Sequence, residues 1–354
     1  MQPDMMQTLI NASLSAEAKA VVAHAYNSGV SQSVTTIIEV ENERTLSDEI
    51  LHEFIVAGWG EELAKYTEFR EVPDATNCEA IRQVQLSVQN GAALFAICKV
   101  VTNDYNRYYL SIHHALADEK TLSLIKNIVN VFCVGKSDIA LKNMNQGRLL
   151  YRNYIERQRI LAKTEKCVSY QSMIPVRLSQ TGPIAWNKKC TRINIHRRIK
   201  VGSTNNEVSL LNKILPYLCD AGVISEGSIA CSSHDWRLPY ESAAIGMMTG
   251  LVALPVNTGA MNYLQTSLES CIRYHSAMSE VLRCCRASEL FINGSMPRGI
   301  PSSQVVGSIF PVGINIQRIN SSEFRLDMEG PFCSRSAVNN LLINLTEALS
   351  ERRK

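Results

Sequence analysis

Residues 113–118 of this chain, the most informative part of its sequence, read His113-His114-Ala115-Leu116-Ala117-Asp118. It follows a run typical of a β-strand, residues 106–112, and it precedes a run with helical spacing of apolar residues, 121–133. Loops between a strand and a helix often carry chemistry, because the scaffold fixes the side chains while the loop exposes them. The pattern HHxxxD therefore indicates an acid/base centre.

The two histidines are expected to have different tasks, because adjacent residues on a strand point to opposite faces. A general base needs a pKa near the working pH and one free ring nitrogen, and a histidine supplies both. Asp118 is expected to hold the geometry of the loop by pairing with a cation, or to cap the helix that follows. The alternative is a structural histidine beside a simple helix cap.

A metal site is a further alternative, because two histidines and a carboxylate resemble a facial triad of ligands. The opposed directions of His113 and His114 argue against a shared ion. The seven histidines of the chain include no HxH or HxxxH pair that would complete such a site. No metal is therefore predicted.

Length and composition indicate a globular protein with two domains or lobes, since domains usually have ~100–200 residues and this chain has 354. A net charge of +3 is too small to indicate nucleic acid or membrane as a partner. Eleven scattered cysteines without CxxC spacing favour free thiols in a reducing compartment. No signal peptide and no apolar run of membrane-spanning length is visible, so a cytoplasmic protein without a membrane span is predicted.

The pattern along the chain predicts a mixed α/β fold, an α+β sandwich, in two halves that each contain strands and flanking helices. The predicted strands cover residues 34–40, 92–101, 107–113, 191–200, 228–232, 251–256 and 305–316. The predicted helices cover residues 47–56, 121–133, 147–163, 204–218, 264–287 and 336–349. The irregular stretch 167–189 separates the halves, which gives an N-terminal lobe of residues 1–170 and a C-terminal lobe of residues 171–354.

HHxxxD resembles the signature of an acyltransferase superfamily. Its members include chloramphenicol acetyltransferase, carnitine acyltransferases, alcohol acetyltransferases, plant hydroxycinnamoyl-type transferases and the condensation domains of nonribosomal peptide synthetases. Two later segments resemble family landmarks, Ser203 to Val208 and Asp235-Trp236-Arg237 with the following Ile245-Gly246. The resemblance implies two chloramphenicol-acetyltransferase-like lobes with an active-site tunnel between them, into which His114 faces. It also implies an ion pair between Asp118 and Arg237. The alternative for Arg237 is a solvent-exposed charge at a strand end.

The implied function is acyl transfer from a thioester to a small-molecule alcohol or amine, with His114 as the general base. The candidate catalytic residues are His114, His113 and Asp118, with Arg237 as structural support. The donor is acyl-CoA, or a phosphopantetheine thioester on an acyl carrier protein as in a stand-alone condensation-like enzyme. No tightly bound cofactor is expected. A catalytically degenerate binding or scaffold protein with the same fold is the remaining alternative.

Some features depart from the family pattern or suggest other partners. Glu119 stands where many members have glycine, which supports the degenerate alternative. Gly58-Trp59-Gly60 lies in the wrong half to be the plant-type DFGWG loop, and its occurrence is interpreted as incidental.

Two groups of basic residues have an ordinary and a functional interpretation. Arg192, Arg198 and Lys200 suggest either a coenzyme A patch or, more commonly, a solvated strand face. The arginines of the helix 147–163 suggest RNA, but interleaved apolar residues favour an ordinary amphipathic helix.

Overall fold

The structure is a computed structural model that describes residues 1–29, 31–41, 46–73, 75–101, 105–164, 174–201, 207–225, 227–255, 288–293, 310–320 and 322–350. The chain forms two compact units. The first contains Met1–Ile160 together with Trp236–Thr249, and the second contains Leu161–Asp235 and Gly250–Lys354. We call Trp236–Thr249 the return segment. The lobe division predicted at residue 170 does not include this return of the chain to the first unit.

The first unit is built on a four-stranded sheet with the order β1-β4-β3-β2. Its strands are β1 (Ser33–Glu41), β2 (Thr67–Glu71), β3 (Phe95–Val101) and β4 (Tyr105–His113). β2 and β3 are parallel, and the other pairs are antiparallel. The strands predicted at 34–40, 92–101 and 107–113 are confirmed. β2 has no counterpart among the predicted strands, because it is short, half-exposed and largely charged.

Helices cover both faces of this sheet. They are α1 (Pro3–Asn11), α2 (Ala16–Ser28), α3 (Asp48–Trp59), α4 (Glu61–Ala64), α5 (Asn77–Gln89), α6 (Glu119–Cys133) and α7 (Ser137–Thr164). α5 packs against β3 and β4 on one face, and α6 packs against β1. Tyr109 therefore belongs to the cluster under α5, while Tyr108 and Leu110 belong to the main core on the other face. The predicted helices at 47–56 and 121–133 are confirmed, and α7 starts ten residues before the predicted 147.

The second unit contains a sheet with the order β5-β7-β9-β10-β11-β6, and β8 also pairs with β7. The strands are β5 (Ile174–Pro175), β6 (Ile193–Lys200), β7 (Ser228–Asp235), β8 (Thr249–Pro255), β9 (Leu290–Asn293), β10 (Val312–Arg318) and β11 (Glu323–Gly330). Pairing is parallel from β5 through β7 and β9 to β10, and antiparallel from β10 through β11 to β6.

The helices of the second unit are α8 (Glu207–Asp220) and, at the end of the chain, α9 (Arg335–Ser350). Both confirm predicted helices. The helix predicted at 264–287 and the first part of the strand predicted at 305–316 lie outside the described residues.

The predicted fold class, mixed α/β with two sheets, is confirmed. The tunnel remains a prediction. Among the helices that the structure describes, none is long and apolar enough to cross a membrane.

Candidate active site

The HHxxxD motif forms a tight turn between β4 and α6, and its backbone is fixed at both ends. The His113 N–H donates to the Leu94 carbonyl at 2.8 Å, and the His114 N–H donates to Gln32 at 2.8 Å. The Leu116 N–H closes the turn by donating to the His113 carbonyl at 2.8 Å. The three residues between His114 and Asp118 are apolar and buried in the main core of the unit. The turn therefore has little freedom to change shape.

His114 is half-buried and has one ring nitrogen committed to the backbone. Its Nδ1 lies 3.0 Å from the carbonyl oxygen of Ala117. A carbonyl oxygen can only accept, so Nδ1 carries a proton and, in the neutral ring, Nε2 keeps its lone pair. Burial lowers the pKa of His114, and this outweighs the opposite effects of the Ala117 carbonyl and the Asp118 charge. The imidazole is therefore neutral at pH 7 with Nε2 as the available base.

His113 has a different environment, as the alternation along a strand predicts. It is fully buried, and its Nδ1 accepts from the Ala115 N–H at 3.2 Å. Burial lowers the pKa of His113 to about 3, and the neighbouring His114 adds to the shift. Its Nε2 has no hydrogen-bond partner in the described part of the chain. The His113 ring is therefore neutral, and the contact that it makes is with the backbone of its own turn.

Asp118 caps α6 and binds the return segment at the same time. Its Oδ1 accepts from the Thr121 N–H at 2.9 Å. Its Oδ2 accepts from the backbone N–H of Met248 at 2.9 Å and from the N–H and Oγ1 of Thr249 at 3.1 and 3.2 Å. Burial would raise the pKa of Asp118, but the charge and hydrogen bonds of Arg237, with those from Met248 and Thr121, outweigh it and hold the pKa below its usual value. The carboxylate is thus ionised and saturated with donors.

Arg237 forms the ion pair with Asp118 that the resemblance implies. Its two terminal nitrogens lie 2.9 Å from the two carboxylate oxygens, in a bidentate arrangement. The Arg237 side chain is only 3% exposed, so the alternative of a solvent-exposed strand-end charge is wrong. It also donates to Thr121 Oγ1 at 3.0 Å and to the Gly246 carbonyl at 3.1 Å. Asp118 therefore fixes the return segment, and the Ala117 carbonyl rather than Asp118 orients the His114 ring.

Glu119 follows Asp118 directly but has none of its donors. It is half-buried, and within the described residues its carboxyl group makes no hydrogen bond or ion pair. Burial, with a smaller contribution from the Asp118 charge, raises the pKa of Glu119 to about 8. This side chain therefore places a neutral carboxylic acid beside the motif at pH 7.

A second buried ion pair, between Arg157 and Glu241, holds the start of the return segment. Arg157 on α7 donates to Glu241 through Nε at 3.1 Å and through a terminal nitrogen at 2.7 Å, and to the Trp236 carbonyl at 3.2 Å. The sequence does not indicate this pair, because the two residues are 84 positions apart and no local pattern links them.

Trp59 also contacts the motif, although the likeness of Gly58-Trp59-Gly60 to the plant-type loop is interpreted as incidental. Its indole N–H donates to the carbonyl of Leu116, inside the HHxxxD turn, at 2.8 Å. No local signal marks this contact, since Trp59 lies at the end of α3 and 57 residues before its acceptor.

Two of the three basic residues suggested as a coenzyme A patch lie near carboxylates. Arg192 lies 3.4 Å from Glu329, and Arg198 lies 3.9 Å from Glu323. Lys200 is exposed at the end of β6. This arrangement supports the solvated strand face rather than a coenzyme A patch.

Three of the four arginines in the predicted helix 147–163 contact protein groups, and the fourth, Arg152, is exposed. Arg159 pairs with Glu156 at 3.3 Å. Arg148 lies against the end of α3, with one nitrogen 3.5 Å from the Val56 carbonyl. With Arg157 committed to Glu241, the helix has the contacts of an ordinary packed helix.

Comparison with known proteins gives a likeness of structure only. No family model matches the chain, and no curated protein is similar to it. A starter condensation domain of rhizomide synthetase is 13% identical with a TM-score of 0.62, and the match covers 96% of each chain. The X-domain from teicoplanin biosynthesis is 10% identical with a TM-score of 0.60, covering 96% of this chain and 94% of that one.

An epimerization domain extends the set of similar structures. It comes from the third module of tyrocidine synthetase B, is 10% identical with a TM-score of 0.55, and the match covers 93% of this chain and 94% of that one. The chain therefore has the fold of the condensation domains of nonribosomal peptide synthetases over nearly its whole length. These domains belong to the chloramphenicol-acetyltransferase-like superfamily, so the resemblance based on HHxxxD is confirmed at the level of the fold.

Proposed function

We propose that this protein is an acyltransferase that moves an acyl group from a thioester to an alcohol or amine, with His114 as the general base. One observation carries the proposal: the hydrogen bond from His114 Nδ1 to the Ala117 carbonyl leaves Nε2 unprotonated on a neutral ring. General-base catalysis by a positioned side chain is worth ~10²–10⁴-fold in rate.

The proposed reaction is direct transfer. His114 Nε2 takes the proton of the acceptor O–H or N–H while that oxygen or nitrogen forms a bond to the thioester carbonyl carbon. The C–S bond then breaks, and the proton passes from Nε2 to the leaving thiolate. The products are an ester or amide and a free thiol, and the protein carries no acyl group between steps.

The other motif residues keep this base in place. His113 is neutral and buried, and Asp118 is ionised but turned towards Arg237 and the return segment. Neither contributes a proton to the proposed transfer. Their role is to keep the turn closed so that the Ala117 carbonyl stays within hydrogen-bond distance of His114.

Acyl-CoA is the donor that we propose first. One solved starter condensation domain, 13% identical with a TM-score of 0.60, is in complex with C8-CoA. Another, 12% identical with a TM-score of 0.59, is in complex with C8-CoA and Leu-SNAC. A donor bound to a carrier protein is the second possibility for the same base.

The alternative function is a binding protein with this fold that has lost turnover. Glu119 favours it, because a carboxylic acid beside the motif stands where many members of the family have glycine. A scaffold of this kind would keep the Asp118–Arg237 pair, which serves the fold, and would not need His114 Nε2.

The test compares the His114→Ala variant with a His196→Ala control, since His196 is an exposed histidine on β6. Wild-type protein is incubated with acyl-CoA donors, and separately with an acylated carrier protein, against panels of alcohols and amines. Ester or amide formation is followed by mass spectrometry. We expect His114→Ala to lose ~10²–10⁴-fold of the turnover at unchanged melting temperature, and His196→Ala to lose none.

Two outcomes contradict the proposal. Turnover retained in His114→Ala would remove the general base. Wild-type protein that is folded, binds an acyl-CoA and transfers nothing from either donor would support the scaffold alternative.

A further inference from the structure

Trp59 reaches the HHxxxD turn from the end of α3. Its indole Nε1–H donates to the Leu116 carbonyl at 2.8 Å, and its ring packs against Phe95 with the centroids 5.1 Å apart. The tryptophan is half-buried and Leu116 is 2% exposed. This is the contact through which α3 binds the motif backbone.

The two glycines beside Trp59 lie against side chains of α7. A Cβ on Gly58 would lie 2.7 Å from the end of the Met144 side chain, so a larger residue there would require that flexible side chain to move. Gly60 has φ +94°, which side chains rarely adopt, and a Cβ there would lie 2.5 Å from the Arg148 guanidinium. The backbone conformation of Gly60 therefore favours glycine directly after Trp59, where α3 ends.

The acceptor of the Trp59 bond is coupled to His114 through one peptide unit. The Leu116 carbonyl and the Ala117 N–H belong to the same plane, so fixing the direction of that carbonyl fixes the rotation of the plane. The next carbonyl along the chain is that of Ala117, which receives the His114 Nδ1 proton at 3.0 Å. The indole thus acts on the residue that sets the His114 tautomer.

We propose that Trp59 is a positioning residue: its indole N–H holds the Leu116–Ala117 peptide so that the Ala117 carbonyl keeps the proton of His114 on Nδ1. The tautomer part of this inference stands on geometry alone, and its effect on turnover rests on the proposed acyltransferase function. Trp59 touches no reacting atom, and it acts through Leu116, Ala117 and His114 in turn.

The Trp59→Phe variant separates positioning from space filling, because phenylalanine keeps most of the ring contact with Phe95 and removes the donor. Trp186→Phe is the matched control, since Trp186 is also half-buried and its Nε1 has no hydrogen-bond partner in the described residues. Both variants replace indole by phenyl, but only the first removes a bond to the motif.

The primary measurement is the ¹⁵N NMR spectrum of the imidazole nitrogens at pH 7, with His114→Ala used to assign the His114 signals. We expect wild-type protein and Trp186→Phe to show protonated Nδ1 and unprotonated Nε2. In Trp59→Phe we expect the ratio of Nε2-protonated to Nδ1-protonated His114 to rise about fivefold, which corresponds to the loss of one ordinary hydrogen bond. If turnover is observed, we expect kcat to fall in proportion to the fraction of His114 that leaves the Nδ1-protonated tautomer, while KM is unchanged.

An unchanged tautomer ratio in a folded Trp59→Phe variant overturns the inference and shows that Trp59 only fills space. If Trp59→Phe does not fold, Gly60→Ala replaces it, because a side chain at φ +94° displaces the end of α3 while the indole is kept. The same tautomer shift is then expected, and its absence counts against positioning. A shifted tautomer in a protein without acyl transfer would reject the proposed function and leave this inference standing.

Discussion

The return segment is held by two buried ion pairs that differ in their access to water. In the first pair, the Glu241 side chain is 1% exposed but the side chain of its partner Arg157 is 26% exposed. In the second pair, the side chain of Arg237 is 3% exposed and that of Asp118 is 0% exposed. The Arg157 guanidinium can turn to solvent when its partner is lost, whereas the Arg237 guanidinium cannot.

The two pairs also differ in what they connect. Arg157 and Glu241 join the return segment to α7, which is a contact between structural elements. Arg237 and Asp118 join it to the residue that ends the HHxxxD turn and starts α6. The Asp118–Arg237 pair, which is shielded from water, is therefore the one that fixes the candidate active site. Its loss is expected to cost more unfolding free energy than the loss of the Arg157–Glu241 pair.

Asp118→Asn is expected to have the largest effect, because it leaves the Arg237 charge buried without a counterion. Breaking a buried pair in this way costs about 3–5 kcal/mol of unfolding free energy, measurable by urea denaturation. The double variant Asp118→Asn with Arg237→Met leaves no buried charge and keeps an oxygen for the backbone donors. We expect it to recover part of the loss, and a double variant less stable than Asp118→Asn would contradict this account.

The next largest effect is in the pH dependence of stability, where Glu119 and Asp118 act in opposite directions. The pKa of Glu119 is raised to about 8 by burial, so the folded state holds a proton that the unfolded chain releases near pH 4.5. Stability is therefore lost as the pH rises from about 4.5 to about 8. The pKa of Asp118 is lowered, so its contribution is present above its unfolded value and is lost as the pH falls.

Glu119→Gln isolates the first of these two terms. Its unfolding free energy, measured by urea denaturation from pH 5 to pH 9, should fall less with pH than that of the wild type. Glu61→Gln, which removes an exposed carboxylate on α4, is the control. Parallel curves for wild type and Glu119→Gln would show that Glu119 is ionised in the folded protein.

Glu241→Gln is expected to have a smaller effect than Asp118→Asn. The Arg157 side chain that loses its counterion is 26% exposed and can turn to solvent, and the glutamine oxygen can still accept from the Leu238 N–H. A loss of about 1–3 kcal/mol is expected, the cost of an incompletely satisfied buried polar group. Glu156→Gln, which removes an exposed pair with Arg159 on α7, should change stability little. Equal losses in Glu241→Gln and Asp118→Asn would remove the distinction between the two pairs.

The sequence predicts those parts of the fold and the site that local patterns determine. The strand β3 is an apolar run of the right length, β4 is rich in tyrosine and follows a turn-rich stretch, and Asp118 is a recognisable helix cap. An alternation of apolar and charged residues also marks β11, where Phe324, Leu326 and Met328 are buried between charged residues. This local pattern indicates a strand, although β11 is not among the predicted strands.

Other parts depend on contacts between distant residues. Gly147 suggests a helix start, yet it lies inside α7. Glycine suits this position because a Cβ there would lie 2.6 Å from the Ile245 side chain and 2.9 Å from the Ala243 carbonyl oxygen, both in the return segment. Trp59 and the Arg157–Glu241 pair also have no local pattern, because each contact joins segments more than fifty residues apart. The ion pair between Arg237 and Asp118 is predicted by the family resemblance, because the spacing of the two residues in the sequence does not indicate it.

Ser15 provides the smallest effect, at a third contact of the return segment. Its Oγ accepts from the Ala18 N–H at 3.2 Å as the cap of α2, and it donates to the Met247 carbonyl at 2.8 Å. Ser47 caps α3 through the Ile50 N–H at 3.4 Å, and the structure shows no bond from it to the return segment among the described residues. The two serines thus share one role and differ in the other.

Comparing Ser15→Ala with Ser47→Ala therefore measures the bond to Met247. Loss of a serine cap costs about 0.5–2 kcal/mol, and one further hydrogen bond about 1 kcal/mol. We expect Ser15→Ala to be the more destabilising by roughly that last amount, and the difference to shrink in an Arg237→Met background, where the return segment is already loosened. If the difference in unfolding free energy between Ser15→Ala and Ser47→Ala is the same in the Arg237→Met background, the contacts of the return segment act independently. Asp118 would then not organise the segment as a whole.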